Sequence, residues 1–378
     1  MLGSSSFPAL LPEFEAMWGL SNTEAGWISG IFFGGYVAAV PVLVGSTDRI
    51  DPRRIYLVSL VVGGVAALAY ALLAQGFWSA LAFRALAGIG LAGTYMPGLK
   101  LLTDRTDGPM QGRYVAFYTA AFSLGTALSF AFTGEIAAVF GWRIAFAAGA
   151  AGSAISLLLI LALVAPGPVE SAKGAARRFP DFRPVLRNRA AMAFVLGYAG
   201  HVWELFALRA WLVAFLIYAS AASGSGSGIV QANWLTAAIT LASTIASIYG
   251  AEVAARADRR RVIGGVMVVS VVLAAATGFS PGLPLAVVVA LCVAYHMAVM
   301  ADSAALTGGA VLAAVPSQKG ATLAVHTILG FGGGFLGPLA VGAVMDFAGG
   351  EGSKLAWGLA FLTMGLGSAA ALAAIRRL

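Results

Sequence analysis

The sequence predicts an all-α polytopic membrane protein: two pseudo-symmetric six-helix bundles, with eleven full spans and the stub of a twelfth. Three observations lead there. Of 378 residues, 60% are hydrophobic and 10% are charged, against roughly 25% charged in an ordinary soluble domain. The apolar residues fall in runs near 27–44, 55–74, 77–101, 114–140, 143–165, 190–218, 230–251, 262–279, 284–306, 319–345 and 355–375. Most of these are long enough to cross about 30 Å of hydrocarbon as a tilted helix, and none shows the alternation of a membrane barrel strand. A Gly-plus-basic turn also recurs at matched positions of the two halves, as "GSTDRIDPRR" (Gly45 to Arg54) and "GAEVAARADRRR" (Gly250 to Arg261). Such a repeat marks a duplicated unit.

Taken in order, the chain opens on "MLGSSSFPALL", which is too short to span and too uncharged at its start for a signal peptide. It reads as the outer end of a first span whose beginning lies upstream, which brings the count to twelve. An N-terminal bundle is expected over 1–165, a Pro- and Arg-rich linker over 166–189, and a C-terminal bundle over 190–378. The formal net charge of +7 would suggest nucleic acid in a soluble protein, but here the cations mark topology. Of 23 Lys and Arg, 19 fall in alternate connections and at the C-terminus, only Arg143 and Lys354 in the opposite connections, and Arg84 and Arg209 inside spans. That asymmetry places the 166–189 loop and the C-terminus in the cytoplasm of a bacterial-type inner membrane. The single cysteine, Cys292, can form no internal disulfide.

The turn motifs carry a family resemblance. "GSTDRIDPRR" resembles the loop-2/3 motif of the major facilitator superfamily, "RALAGIG" (Arg84, Gly88, Gly90) its fourth-helix motif, and "GWR" (Gly141 to Arg143) its usual lead into helix six. The resemblance covers nearly the whole chain and implies the twelve-helix fold and alternating access. It implies gate roles for Gly45, Asp48, Arg49, Arg53 and Arg54, and for Gly250, Arg256 and Arg259 in the second copy. The match is imperfect: Asp51-Pro52 stands where Gly-Arg is usual, and Ala254 where the second aspartate would be. Within the superfamily the sequence weakly resembles the cyanate-permease-like bacterial anion porters. Nitrate porters of that superfamily use arginines on helices two and eight, and spans 27–44 and 230–251 contain none.

Some motifs deflate. "GIGLAG" (Gly88, Gly90, Gly93) fits GxGxxG, but it lies inside an apolar run with no preceding strand and reads as close helix packing. "SGSGSG" (Ser223 to Gly228) lacks the lysine of a phosphate loop and reads as a flexible connection. "GGFLGP" (Gly333 to Pro338) resembles an antiporter motif, but sits on helix eleven rather than five, where a bend and close packing explain it.

The informative residues are ionisable side chains within spans, which are expensive and commonly functional. They are Arg84, then His201, Glu204 and Arg209 in "HVWELFALRAW", then His296, with Asp302 nearer a helix end and His326 on helix eleven. All but His326 fall on helices four, seven and ten, which line the central cavity of the fold that the chain resembles. At about 100° per residue, His201 and Glu204 share a helix face, whereas Arg209 lies about 140° round from Glu204 and cannot be its simple intrahelical partner. Glu204, His201 and Arg84 are therefore candidates for proton coupling. Glu204 can equally be structural glue paired to a neighbouring helix, and Arg84 a helix anchor. Arg209 could hold a carboxylate bidentately, with Trp203, Trp211, Tyr95, Tyr295 and His296 as further substrate candidates or plain core.

No phosphate loop, metal-ligand spacing or nucleophile–base pair occurs, so no cofactor and no enzyme activity is expected. The reading is a secondary transporter of a small organic solute, possibly an anion, coupled to protons and working as a monomer in the bilayer. The alternatives are a transporter-like sensor or scaffold, an uncoupled facilitator and a drug-type antiporter.

Overall fold

A computed structural model describes residues 2–47, 49–108, 110–167 and 182–377, apart from the side chains at 112 and 116. Asp48 and most of the 166–189 linker lie outside the described residues. Among those described, eleven helices are long and apolar enough to cross a membrane. Two short helices come first, α1 (Ser6–Ala9) and α2 (Leu11–Trp18). Then follow α3 (Asn22–Ser46), α4 (Pro52–Leu73), α5 (Phe77–Thr103), α6 (Gln111–Phe140) and α7 (Trp142–Leu163). After a short α8 (Arg183–Arg187) come α9 (Arg189–Ala222), α10 (Ile229–Arg256), α11 (Arg259–Gly278), α12 (Leu285–Ala301), α13 (Ser303–Ala313), α14 (Lys319–Phe347) and α15 (Lys354–Arg376). The tenth expected span is thus two helices, broken at Asp302.

The chain divides into two compact units. One gathers Met1–Ser6 and Ile31–Pro180; the other gathers Phe7–Gly30 and Asp181–Leu378. Residues 7–30, placed by the sequence in the N-terminal bundle, group with the second unit, so α3 begins in one unit and continues in the other.

In the first unit, the glycines of "GIGLAG" form a backbone seam. A Cβ on Gly88 would lie 1.8 Å from the Phe32 carbonyl oxygen, and one on Gly90 would lie 2.8 Å from Gly63. Only glycine allows α5 to approach α3 and α4 this closely. Gly141, at φ 82, turns the chain from α6 straight into α7. The start of the chain is tied to α6: the Ser5 amide donates to Ser129 Oγ at 3.0 Å, and Ser129 Oγ donates to the Leu2 carbonyl at 2.7 Å.

In the second unit, α9 is the central helix. Asn188 caps it, its side-chain oxygen accepting from the Ala191 amide at 3.1 Å and satisfying one of the orphan donors of the first turn. The "GGFLGP" stretch is a packing seam on α9, where a Cβ on Gly333 would sit 2.3 Å from the Ala199 carbonyl oxygen and one on Gly337 2.5 Å from that of Trp203. "SGSGSG" closes on the end of α9: the Ser220 hydroxyl accepts from the Ser227 amide at 2.6 Å. That connection, expected to be flexible, is a side-chain-capped turn.

At the N-terminus of α3, Asp346 from the end of α14 accepts from the amides of Asn22 and Thr23, at 3.0 and 2.8 Å, and from both side chains. A carboxylate there meets unpaired N–H groups and the positive end of the helix dipole together.

Candidate functional site

The ionisable residues on α9 are buried in the second unit, and each meets a different environment. Glu204 has no exposed surface. Its Oε1 accepts from Tyr295 Oη at 2.8 Å and from Ser270 Oγ at 3.0 Å, and its Oε2 accepts a short hydrogen bond from Ser368. The donors come from α12, α11 and α15, so one carboxylate ties four helices together. A carboxylate offers about four lone-pair sites, and three hydroxyls here donate to the Glu204 carboxyl group. Tyr295, a candidate wall for a substrate, is occupied as one of these donors.

His201, one turn earlier, does not pair with Glu204. Its Nδ1 stands 2.8 Å from Asp302 Oδ1, with the two side chains 1% and 3% exposed. Asp302 occupies the break between α12 and α13, and its carbonyl accepts from the Leu306 amide at 2.8 Å. The array continues through rings: Tyr198 lies against His201 with centroids 5.5 Å apart, and stacks on His326 at 3.9 Å. His326 Nε2 is 3.3 Å from the Thr307 hydroxyl. Asp302, His201, Tyr198, His326 and Thr307 thus form a contiguous polar and aromatic line across α9, α13 and α14.

Arg209 is 5% exposed, and among the described residues no carboxylate lies within 4.0 Å of it. Its guanidinium carbon is 5.7 Å from the Phe206 ring centroid, while Nε has no hydrogen-bond partner. His296, fully buried, is within electrostatic reach of Arg209 and His201. Both indole N–H groups find backbone acceptors: Trp203 Nε1 donates to the Thr363 carbonyl at 3.0 Å, and Trp211 Nε1 to that of Pro338 at 3.2 Å.

In the first unit, Arg84 donates from Nη1 to the Ser4 carbonyl at 3.1 Å and lies 4.4 Å over the Phe32 ring, an anchor between α5, α3 and the chain start. Tyr95 sits in an aromatic cluster with Tyr118 and Phe122. The Tyr118 hydroxyl reaches the Thr94 and Tyr95 carbonyls at 2.9 and 2.7 Å, beside Pro97, whose ring interrupts the helix ladder. A cavity of about 180 Å³ in this unit is lined by Phe32, Ser59, Gly63, Thr94 and Ser153 among others, with no ionisable side chain.

The turn motifs depart from the sequence reading in one respect. Asp48 lies outside the described residues, and the N-cap of α4 is Asp51. Its carboxylate accepts from the Arg53 amide at 2.9 Å and the Gly167 amide at 3.0 Å, with the Arg105 guanidinium 4.0 Å away. Arg53 in turn donates to the Val164 carbonyl at 2.5 Å. The second copy repeats the device: Asp258, not position 254, accepts from the Arg261 amide at 3.1 Å, and Arg259 donates to the Ala305 carbonyl at 3.0 Å. Arg256 makes only an exposed i,i−4 pair with Glu252, and Arg49 and Arg54 are exposed. A Cβ on Gly45 would meet open space, whereas one on Gly250 would lie 1.8 Å from the Ala301 carbonyl oxygen. The signal for Asp51 was present as Asp-Pro, an N-cap followed by proline at N1. Nothing local could reveal Ser270 or Ser368, each ordinary in an apolar helix.

Two helical units with a buried ionisable array in the interior of one define a multi-pass membrane protein of transporter architecture. The family model of the Major Facilitator Superfamily matches residues 1–230, and the chain belongs to that superfamily. It is 28% identical over 132 residues to the niacin transporter of Acinetobacter baylyi, covering 35% of this chain and 30% of that one. With the 3-(3-hydroxy-phenyl)propionate transporter of Escherichia coli it shares 29% identity over 228 residues, 58% of this chain and 54% of the other. With protein spinster homolog 3 of Danio rerio it shares 25% over 224 residues, 57% and 45% of the two chains. The chain thus spans between 30% and 54% of the length of these relatives. Among solved structures, a bacterial homolog of the human lysosomal transporter spinster, inward-facing and occupied, superposes with a TM-score of 0.79 at 16% identity, covering 99% of this chain and 92% of the other. A point mutant of the nucleoside transporter NupG gives 0.80 at 15%, covering 100% and 96%.

Proposed function

We propose that this protein is a secondary transporter that moves a small organic anion by alternating access, coupled to protons. The observation that carries the reading is the pairing, inside one membrane unit, of a buried His201–Asp302 contact with a buried Arg209 that has no carboxylate beside it among the described residues. An isolated cation in low dielectric is costly unless something compensates it. A guanidinium is suited to take a solute carboxylate with two parallel hydrogen bonds. The relatives support the class, since the printed names include a niacin transporter and a hydroxyphenylpropionate transporter.

Proton movement is assigned to His201 and Asp302, with Glu204 holding the surrounding helices. A histidine and a carboxylate in direct contact inside a span form the kind of pair that relays protons in membrane transporters. The cation distribution supports a cytoplasmic position for the 166–189 linker and the C-terminus.

Uptake into proteoliposomes under an imposed pH gradient tests the assignment, with nicotinate and 3-(3-hydroxyphenyl)propionate as labelled probes. Asp302→Asn should abolish pH-driven accumulation while leaving counterflow exchange largely intact. Arg209→Lys should weaken binding of every probe by about tenfold or more, because the charge stays and the planar fork is lost. Wild-type accumulation in Asp302→Asn would refute the coupling role; unchanged binding in Arg209→Lys would refute the anion role.

A further inference from the structure

The second unit contains a set of buried polar groups that the reading above does not use. On α10, Asn233, Thr236 and Thr240 are all fully buried, and their spacing of three and four residues puts them on one helix face. Asn233 Nδ2 donates to the Ala9 and Ile229 carbonyls, both at 2.9 Å, but its Oδ1 has no partner. The hydroxyls of Thr236 and Thr240 have none either. Ser29 Oγ and Thr277 Oγ1 share that condition, but most hydroxyls on these helices do not. Thr94, Thr126, Ser153, Ser156, Thr244 and Thr363 all bond a carbonyl one turn earlier, the common resting place for a hydroxyl in an apolar helix.

His296 on α12 is in the same condition, with both ring nitrogens buried and unpartnered. Helix α10 packs chiefly on α12. One crossing, α11, separates them, so both start from the same face of the unit. Thr240 lies eleven residues into α10 and His296 eleven residues into α12, so each sits about 17 Å along its own helix. Arg209 is within electrostatic reach of His296. A neutral polar group buried without a hydrogen bond costs on the order of 1–3 kcal/mol, and five such groups in one bundle point to a polar occupant.

We propose that Thr236, Thr240 and His296, beside Asn233, form a polar subsite that recognises a hydroxyl or carbonyl group of the solute whose carboxylate Arg209 holds. The transported class is thereby narrowed to hydroxylated or oxo-substituted small carboxylic acids. The inference rests on the anion reading of Arg209 and adds a second contact. A hydroxyl on the solute can donate to Asn233 Oδ1 or to a His296 ring nitrogen and accept from a threonine, so groups left single in the protein become paired. An acid without that hydroxyl leaves them unpaired, and such a site discriminates strongly against it.

A matched pair of probes reads this out: 3-(3-hydroxyphenyl)propionate and 3-phenylpropionate, which differ by one hydroxyl. Binding to the purified full chain in detergent is measured by calorimetry. The wild type should bind the hydroxylated acid about tenfold or more tightly than the plain one. Thr240→Val keeps the side-chain shape and should collapse that ratio towards one without changing affinity for the plain acid. Thr240→Ser should restore it, and Thr236→Val/Thr240→Val should behave as Thr240→Val. Equal binding of the two acids by the wild type, or a ratio that survives in both valine variants, overturns the subsite and leaves the Arg209 reading standing. Failure of the wild type to bind either acid overturns both.

Discussion

Replacing Glu204 measures how much of the second unit depends on one carboxylate. Three hydroxyls donate to it, and a hydrogen bond to a charged group contributes about 1.5–3 kcal/mol net. Glu204→Ala removes all three bonds and leaves Ser270, Tyr295 and Ser368 as buried donors with no acceptor. The gross loss is roughly 5–9 kcal/mol, comparable with the whole stability of an ordinary domain. Glu204→Gln keeps one acceptor oxygen and the shape. Neutral bonds are about half as strong as charge-assisted ones, so the loss should be nearer 1–3 kcal/mol, or a fall of roughly 2–12 °C in Tm for a unit of this size. The protein supplies its own reporter. Cys292, the chain's single cysteine, is buried one turn from Tyr295 on α12, so a thiol-reactive fluorogenic probe reports the opening of the helix that donates to Glu204. The Ala variant should label at room temperature, and the Gln variant only at a modestly lowered Tm. An Ala variant that unfolds at the wild-type temperature would refute the claim that this carboxylate holds four helices together.

Two further predictions concern packing and pH. Gly250→Ala should destabilise the protein by about 1–3 kcal/mol, because the new Cβ meets the Ala301 carbonyl oxygen at 1.8 Å. Since Ala301 precedes Asp302, pH-driven uptake should fall more than exchange; Gly45→Ala, whose Cβ meets open space, should change Tm by less than about 1 °C, and equal behaviour of the two would refute the argument. Outside the spans, burial and then the neighbouring Glu351 and Asp346 carboxylates push the Glu15 carboxyl from 4.5 up to about 9. The folded state therefore holds more protons than the unfolded state between those values, and stability must fall as pH rises through that window. Glu15→Gln should flatten the drop in Tm between about pH 5.5 and 8.5; an unchanged slope would show that Glu15 does not carry it.

The spans were legible because the signal is local: a run of apolar residues long enough to cross a bilayer needs no tertiary information. The break at Asp302 was not, since hydrophobicity continues on both sides of it, and only the side-chain contact with His201 shows what the break accommodates. Periodicity correctly separated Arg209 from Glu204, because it fixes angles within one helix. It could not supply partners from other helices. Those of Glu204 lie 66, 91 and 164 residues away, and the carboxylate that caps α3 lies 324 residues from Asn22. Thr236 and Thr240 were invisible for another reason: a threonine in an apolar run is unremarkable until its hydroxyl is seen to lack the usual carbonyl. At the turns, the family-motif positions and the capping positions are not the same, and the helix-start chemistry of Asp51-Pro52 and Asp258 marks the residues that cap.

The packing of α9 bears on how coupling could work. Its backbone is fixed on two sides by close approaches: α14 through Gly333 and Gly337, and α15 at Gly367, where a Cβ would lie 2.3 Å from the Gly200 carbonyl oxygen. His201, Glu204 and Arg209 therefore stand on a helix with little freedom to rotate, which suits groups that must hold geometry. Asp302 is placed differently. It sits where the tenth span is interrupted, with α12 ending one residue before it and α13 beginning one residue after. A helix break is where backbone angles can change at least cost, and hinge residues are commonly of this kind. In the proposed mechanism, then, His201 is the fixed member of the pair and Asp302 the mobile one. Neutralising the Asp302 carboxylate would weaken a contact of 2.8 Å and free the junction to bend. Glu204, which three donors hold in place one turn away, keeps α9 from following.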